Sequence, residues 1–311
     1  MFVELYAQTD VGRVRQGNED NFLVLDLASS ESWSGSDAKT ELPENFRRFE
    51  VGSEGLVLIV SDGMGGALAG DVASRMAVES VREMLTEEDE HKTDDQGANV
   101  PLVDCLRNAT GYANYAIHRK SLEDPRCSGM GATLTAAAIA GGAMDIVQVG
   151  DSRAYVIRGD EIKLATKDQS LVQQLVDVGQ ITEEDAETHM FRNVILQALG
   201  AQSDLTPVIS RVRLQRGDIM LLCSDGLSGK MRAEEMLQIV ADCRGDLAAA
   251  CDALIKEANK RGGEDNITVV LARFDGEDLT AADSKPITVE LSALEDDETL
   301  RGTEDDTSPI P

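Results

Sequence analysis

Four aspartates in this sequence stand at the ends of apolar runs. Leu56–Val60 leads to Asp62 in LVLIVSDGMGG, DIVQVGD leads to Asp151, DIMLLCSDG leads to Asp225, and in GGEDNITVVLA the run starts just after Asp265. Asp-Gly after an apolar run is, taken singly, an ordinary turn signal; its repetition is what points to chemistry. If the runs are antiparallel strands, three that end on a carboxylate and one that begins on one bring four acidic side chains to a common edge. Like charges gathered there repel, and a cation must neutralise them. Carboxylates without nearby His or Cys suit a hard divalent ion, Mg²⁺ or Mn²⁺. Gly63, Gly65 and Gly66 let the backbone crowd close, so that the Gly63 carbonyl is itself a candidate ligand.

The elements that would position these residues follow from periodicity. FVELYAQTD and NFLVLDL read as strands around the charged loop VGRVRQGNED, which carries Arg13, Arg15, Glu19 and Asp20. Residues 28–54 are Ser-rich and aperiodic, as in a surface insertion. AGDVASRMAVESVREML and LVDCLRNATGYANYAIHRKSL have helical spacing, with Val72, Met76 and Val78 to Val81 on one face of the first. GATLTAAAIA, DIVQVG, AYVIRG and EIKLA, split by short turns, read as a meander. Residues 167–200 break this pattern with short helices and read as a flap or lid. Strands PVISRVRL and DIMLLCS, helices AEEMLQIVA and DLAAACDALIKEANKR, and strand NITVVLARF complete the domain. Strand groups alternating with helix pairs predict an α+β fold, two mostly antiparallel sheets packed face to face with helices outside. The domain is expected over residues 1–275; residues 276–311, acidic and poor in aromatics, read as a disordered tail.

A chain of 311 residues with 42% hydrophobic content can bury a large core. A formal charge of −28 argues against nucleic acid and anionic membranes as partners. Five cysteines without metal-type spacing fit a reduced, cytoplasmic setting, and the start MFVELYAQTD has no signal-peptide pattern.

RVRQGNED, SDGMGG, GMGATLTA, VGDSRAY, KDQSLVQQLVDVGQIT, RNVILQALG, LLCSDGLSG and EDNITVV occur in this order. The set resembles the bacterial metal-dependent protein phosphatases of the PPM, or type 2C, family over roughly residues 5–275. The resemblance implies an αββα sandwich and hydrolysis of phosphoserine and phosphothreonine in proteins by a metal-bridging hydroxide. It implies that Asp62 bridges two Mn²⁺ or Mg²⁺ ions, with the Gly63 carbonyl on one and Asp225 and Asp265 on the other. It matches Glu19 and Asp20 to the acidic pair that orients metal-bound water. Arg15, five residues before Asp20, and not Arg13, matches the arginine that holds the substrate phosphate. Asp151 corresponds to a ligand of a third, weaker metal.

Two positions depart from the family. Met64 stands where eukaryotic members carry a histidine thought to be the general acid, and methionine cannot donate a proton. Gly229 replaces an Asp or Asn found in many relatives, which weakens the third metal site. A dinucleotide loop fails at Leu68, where glycine would be required, and no G-x-S-x-G elbow accompanies His91, His118 and His189. Surface placement is expected for His189 and core filling for Cys223. Phosphorylated proteins, including a Ser/Thr kinase, are the expected partners of a monomeric enzyme; a small regulatory protein of the anti-sigma-antagonist type is a narrower substrate. In the tail, Thr299 and Thr303 sit among acids as kinase sites would. Thr303, with Asp306 three residues on, resembles ligands of phosphothreonine-binding forkhead-associated domains. The alternative from another class is a catalytically silent scaffold of the same fold.

Overall fold

The computed structural model describes residues 1–35, 43–65, 69–87, 100–283 and 285–291. In chain order they form β1 (Phe2–Asp10), β2 (Asp20–Asp26), β3 (Glu31–Ser34), α1 (Glu44–Arg47), β4 (Arg48–Glu50), β5 (Leu56–Met64), α2 (Ala69–Thr86) and α3 (Leu102–Glu123). Then come β6 (Gly131–Ala132), β7 (Leu134–Ala140), β8 (Ala143–Val149), β9 (Arg153–Arg158), β10 (Glu161–Leu164), α4 (Leu171–Asp177) and α5 (Glu183–Thr188). The last are β11 (Val208–Arg213), β12 (Ile219–Cys223), α6 (Asp225–Ser228), α7 (Ala233–Asp242), α8 (Leu247–Lys260), β13 (Ile267–Asp275) and β14 (Val289–Leu291).

Two antiparallel sheets result, one ordered β10-β9-β12-β13-β1-β4 and the other β14-β11-β8-β7-β5-β2-β3, with β6 paired to β5. Period-two alternation explains why the central strands read as unbroken apolar runs. In β5, Leu56, Leu58 and Val60 point between the sheets, while Val57 and Ile59 meet α2 and α3. In β13, Val270, Ala272 and Phe274 point between the sheets and Val269 and Leu271 meet α7 and α8. With both faces covered, these strands leave no polar side to show in the sequence. The layers are therefore helix, sheet, sheet, helix, as expected. Helix α2 lies close on its sheet because its buried stripe, at i,i+4 spacing, starts with Ala69, Ala73 and Ala77 before Val81 and Leu85. Val72 and Met76 flank this stripe and are only partly buried.

Three sequence expectations need correction. The four strands from β7 to β10 are not one meander: β7 pairs β8 in one sheet and β9 pairs β10 in the other. The chain crosses between sheets at Gly150–Ser152, where Gln148 Nε2 donates to the carbonyls of Gly150 and Ser152. Residues 28–54 are not a mere surface insertion; β3 and β4 extend one sheet each, and Trp33 and Phe46 are buried between the sheets. The fold also continues past 275. Leu279 and Ile287 are buried, β14 pairs β11, and the Met1 ammonium lies 2.8 Å from Asp278. Thr299, Thr303 and Asp306, like Gly66 and His91, lie outside the described residues. Among the described residues, no helix is long and apolar enough to cross a membrane.

Candidate active site

The acidic residues singled out above collect where the ends of the two sheets meet. Asp20, at the start of β2, is the register partner of Asp62 in β5. Asp151 follows β8 of the same sheet; Asp225 follows β12 and Asp265 precedes β13 in the other. Hydroxyls fasten the halves together. Asp20 Oδ2 accepts from Ser224 Oγ and Thr268 Oγ1, both at 2.7 Å, reaching from one sheet to the other. The Thr133 backbone N–H donates to the Asp62 carbonyl (2.8 Å), and its Oγ1 accepts the Asp62 N–H (2.9 Å). Gly63 must be glycine, since a Cβ there would lie 2.1 Å from the Gly70 carbonyl oxygen and 2.8 Å from that of Glu19.

This convergence shifts proton affinities. Burial, and then Asp20 and Asp225, push the Asp62 carboxyl well above its ordinary range. Burial also raises Asp20 to about 7 against the opposing pull of its two hydroxyl donors, and raises Asp151 to about 7 with help from Asp225. Asp225 is raised by burial and by Asp265, and Glu19 by burial. Arg15 supplies the cation that faces this edge: its Nη2 donates to Asp265 Oδ2 at 2.9 Å, which raises its own pKa. Its side chain is 49% exposed. Arg13 is held differently, its backbone N–H donating to the Gly263 carbonyl.

Asp20 Oδ1, Asp151 Oδ1 and Asp225 Oδ1 are buried without a hydrogen-bond donor from the chain. Buried carboxylate oxygens left so are costly, and an all-oxygen set of this kind fits hard divalent cations. Among the described residues, no three or more His, Cys, Asp or Glu side chains are arranged as they stand to hold a metal ion. Asp265 is turned to Arg15, and one further donor expected from the sequence is a backbone carbonyl.

Residues 45–271 match the family model described as protein phosphatase 2C. The chain belongs to the protein phosphatase 2C family. The serine/threonine phosphatase Stp of Listeria monocytogenes is 35% identical over 268 residues, 86% of this chain and 94% of that protein. The crystal structure of serine/threonine phosphatase Stp1 from Staphylococcus aureus superposes with a TM-score of 0.73 at 30% identity, covering 88% of this chain and 96% of that one. The catalytic domain of the phosphatase PstP, solved with two manganese ions, superposes at 0.68 and 31% identity over 88% and 99%.

Within this 2C fold, the segment 167–200 is pinned beside the acidic edge at both ends. Gln169 exchanges hydrogen bonds with Gly150, next to Asp151, and Leu199 with Ala132, the register partner of Gly63. His189 is used locally, accepting the Phe191 N–H at 3.2 Å. Cys223 is fully buried and its thiol is pushed up to about 12 by burial, which suits a core residue. Sequence reasoning missed Thr133, Ser224, Asn266 and Thr268. Their signal was present as polar residues inside or beside otherwise apolar runs, adjacent to the key aspartates or placed to face them.

Proposed function

We propose that this edge binds two divalent cations, Mn²⁺ or Mg²⁺, through Asp62, the Gly63 carbonyl, Asp225 and Asp265. As a family member the chain is a serine/threonine protein phosphatase that acts on phosphoproteins. The observation that supports the metal assignment is the convergence of Asp62, Asp225 and Asp265 at one edge, where Asp225 Oδ1 is buried without a donor. The cations, when bound, supply charge that neutralises the cluster and acidifies water for attack on phosphorus.

The chain's own residues do the rest. Arg15 spends one Nη on Asp265 and keeps its remaining donors for the phosphate oxygens, whose charge grows in the transition state. Glu19 and Asp20 accept hydrogens of the attacking water and orient it; Ser224 and Thr268 hold Asp20 by one oxygen and leave the other free. The water oxygen attacks phosphorus and the bond to the serine or threonine oxygen breaks. That oxygen takes its proton from water or from another group of the site, since Met64 has none to give. Asp151 would serve a third ion, with Gly229 contributing no side chain to it. The flap, with Met190 and Phe191 exposed, offers apolar contacts to the protein around the phosphate.

The enzyme thus opposes Ser/Thr kinases, one of which is a substrate. All five cysteines are free, and a monomer in the cytoplasm is the form proposed for the enzyme. The tail, phosphorylated at Thr303, would recruit a forkhead-associated domain. The deciding experiment follows p-nitrophenyl phosphate and a phosphothreonine peptide after EDTA stripping, with Mn²⁺ or Mg²⁺ restored, for wild type and Asp225→Asn. Activity should return with metal in the wild type alone. Folded wild-type protein that stays inactive with either ion would favour the silent scaffold.

A further inference from the structure

Arg15 sits in the loop 11–19, which has no regular secondary structure between β1 and β2. Its guanidinium is half exposed, so its place is set by whatever holds the loop backbone. The Arg13 N–H bond to the Gly263 carbonyl and the Asn18 amide on Thr9 Oγ1 hold parts of it, and one buried side chain holds it at both ends. Asn266 Nδ2 donates to the carbonyls of Val11 (2.9 Å) and Gly17 (3.0 Å), Oδ1 accepts the Glu19 N–H (2.8 Å), and the residue is 3% exposed. A single amide thereby binds backbone at both ends of the loop. The Glu19 carbonyl in turn accepts the Gly63 N–H at 3.1 Å, tying the same residue to the Asp62 strand. Gly12 adds a close approach, because a Cβ there would lie 2.2 Å from the Asp265 carbonyl oxygen.

We infer that Asn266 is the positioning residue for Arg15. It fastens the loop from the position next to Asp265, so the phosphate-binding guanidinium and the acidic edge share one rigid reference. Neither aspartate nor alanine can replace it: aspartate keeps the acceptor for Glu19 but loses both donations, and alanine loses all three bonds. The inference rests on Arg15 being the phosphate ligand.

A double-mutant cycle on the full chain with Mn²⁺ and a phosphothreonine peptide tests it, using Arg15→Ala, Asn266→Ala and the pair. Each single variant should raise KM about tenfold or more, with inorganic phosphate weakened as an inhibitor in parallel. The pair should fall within about twofold of Arg15→Ala alone, because Asn266 acts through Arg15. Should Asn266→Ala not fold by circular dichroism, the isosteric Asn266→Asp carries the same cycle. Losses that multiply, or a fall in kcat at constant KM and constant phosphate inhibition, would overturn the inference. An Arg15→Ala enzyme with wild-type kinetics would overturn it together with the role of Arg15 on which it stands.

Discussion

Asp218 and Asp225 flank strand β12 at its two ends, and both carboxylates are desolvated. Asp218 has every need met: Arg158 donates Nε to Oδ1 (2.8 Å) and Nη2 to Oδ2 (2.7 Å), and the Gln215 N–H adds a third bond at 2.8 Å. Asp225 faces Asp62, Asp265 and Asp151, and its Oδ1 has no donor. Asp218 is fully buried and Asp225 half-buried with its Oδ1 enclosed; pairing separates them. A buried carboxylate with a bidentate arginine is structure. One surrounded by other carboxylates is held against its own electrostatics, and its use lies in what it binds.

Exchanging each for asparagine should separate these roles most widely. Asp225→Asn should lose about 10³-fold or more in kcat/KM with Mn²⁺, about 4 kcal/mol of transition-state stabilisation. The same change should raise the melting temperature of metal-stripped protein, since it removes one repelling charge. Asp218→Asn should do the reverse. It leaves Arg158 buried without its counter-charge, costing about 3–5 kcal/mol and lowering the melting temperature on the order of 10 °C, with kcat at 25 °C unchanged. Thermal unfolding and steady-state kinetics on the two variants check both; a stability loss in Asp225→Asn as large as in Asp218→Asn would erase the distinction.

The contrast should also appear in pH dependence. Asp20 and Asp151 are raised to about 7, and Asp62 and Asp225 are raised as well. Between about pH 4 and pH 7 the folded protein therefore holds protons that the unfolded chain has released. Stability of the metal-stripped protein should fall as pH rises through that window. Carboxylates whose values are lowered, such as Glu235 and Asp283 at about 2, change only below it. Melting stripped protein at pH 5.5 and 7.5 should give the higher midpoint at the lower pH, and saturating Mn²⁺ should remove the difference. An unchanged or opposite order would show that the edge is not strained by its own charge.

The sequence displayed this edge more fully than it displayed the frame around it. An apolar run ending in Asp-Gly names both a strand and its carboxylate, so Asp62 and Asp225 were legible at once. Sheet membership was not: β8 and β9 are both apolar and adjacent in sequence, and only the turn at Gly150–Ser152 sends them to different sheets. Trp33, Phe46, Leu279 and Ile287 stand singly among polar residues, so no period announced that the segments carrying them pack into the core. The hydroxyls on Asp20 were hidden for a related reason. Thr268 sits in a strand as a β-branched residue would anyway, and what it serves is 248 positions away.

Asp151 lies between the two extremes and should show the smallest effect. Like Asp225 it is half-buried with an enclosed, unpartnered Oδ1, and burial and its acidic neighbour raise it. Unlike Asp225 it has a nearby cation, since Arg153 draws its value down while holding Asp168 with bonds of 2.7 to 3.2 Å. On the other side Gly229, whose N–H donates to the Asp225 carbonyl, brings no carboxylate that would complete a third ion's shell. Asp151→Asn should therefore cost less than about tenfold in kcat/KM, under about 1.4 kcal/mol, and raise the stripped protein's melting temperature less than Asp225→Asn does. Titrating Mn²⁺ into both variants by calorimetry, beside their kinetics, makes the ranking measurable. A loss in Asp151→Asn equal to that in Asp225→Asn would mean that the third position is as necessary as the first two, despite Gly229.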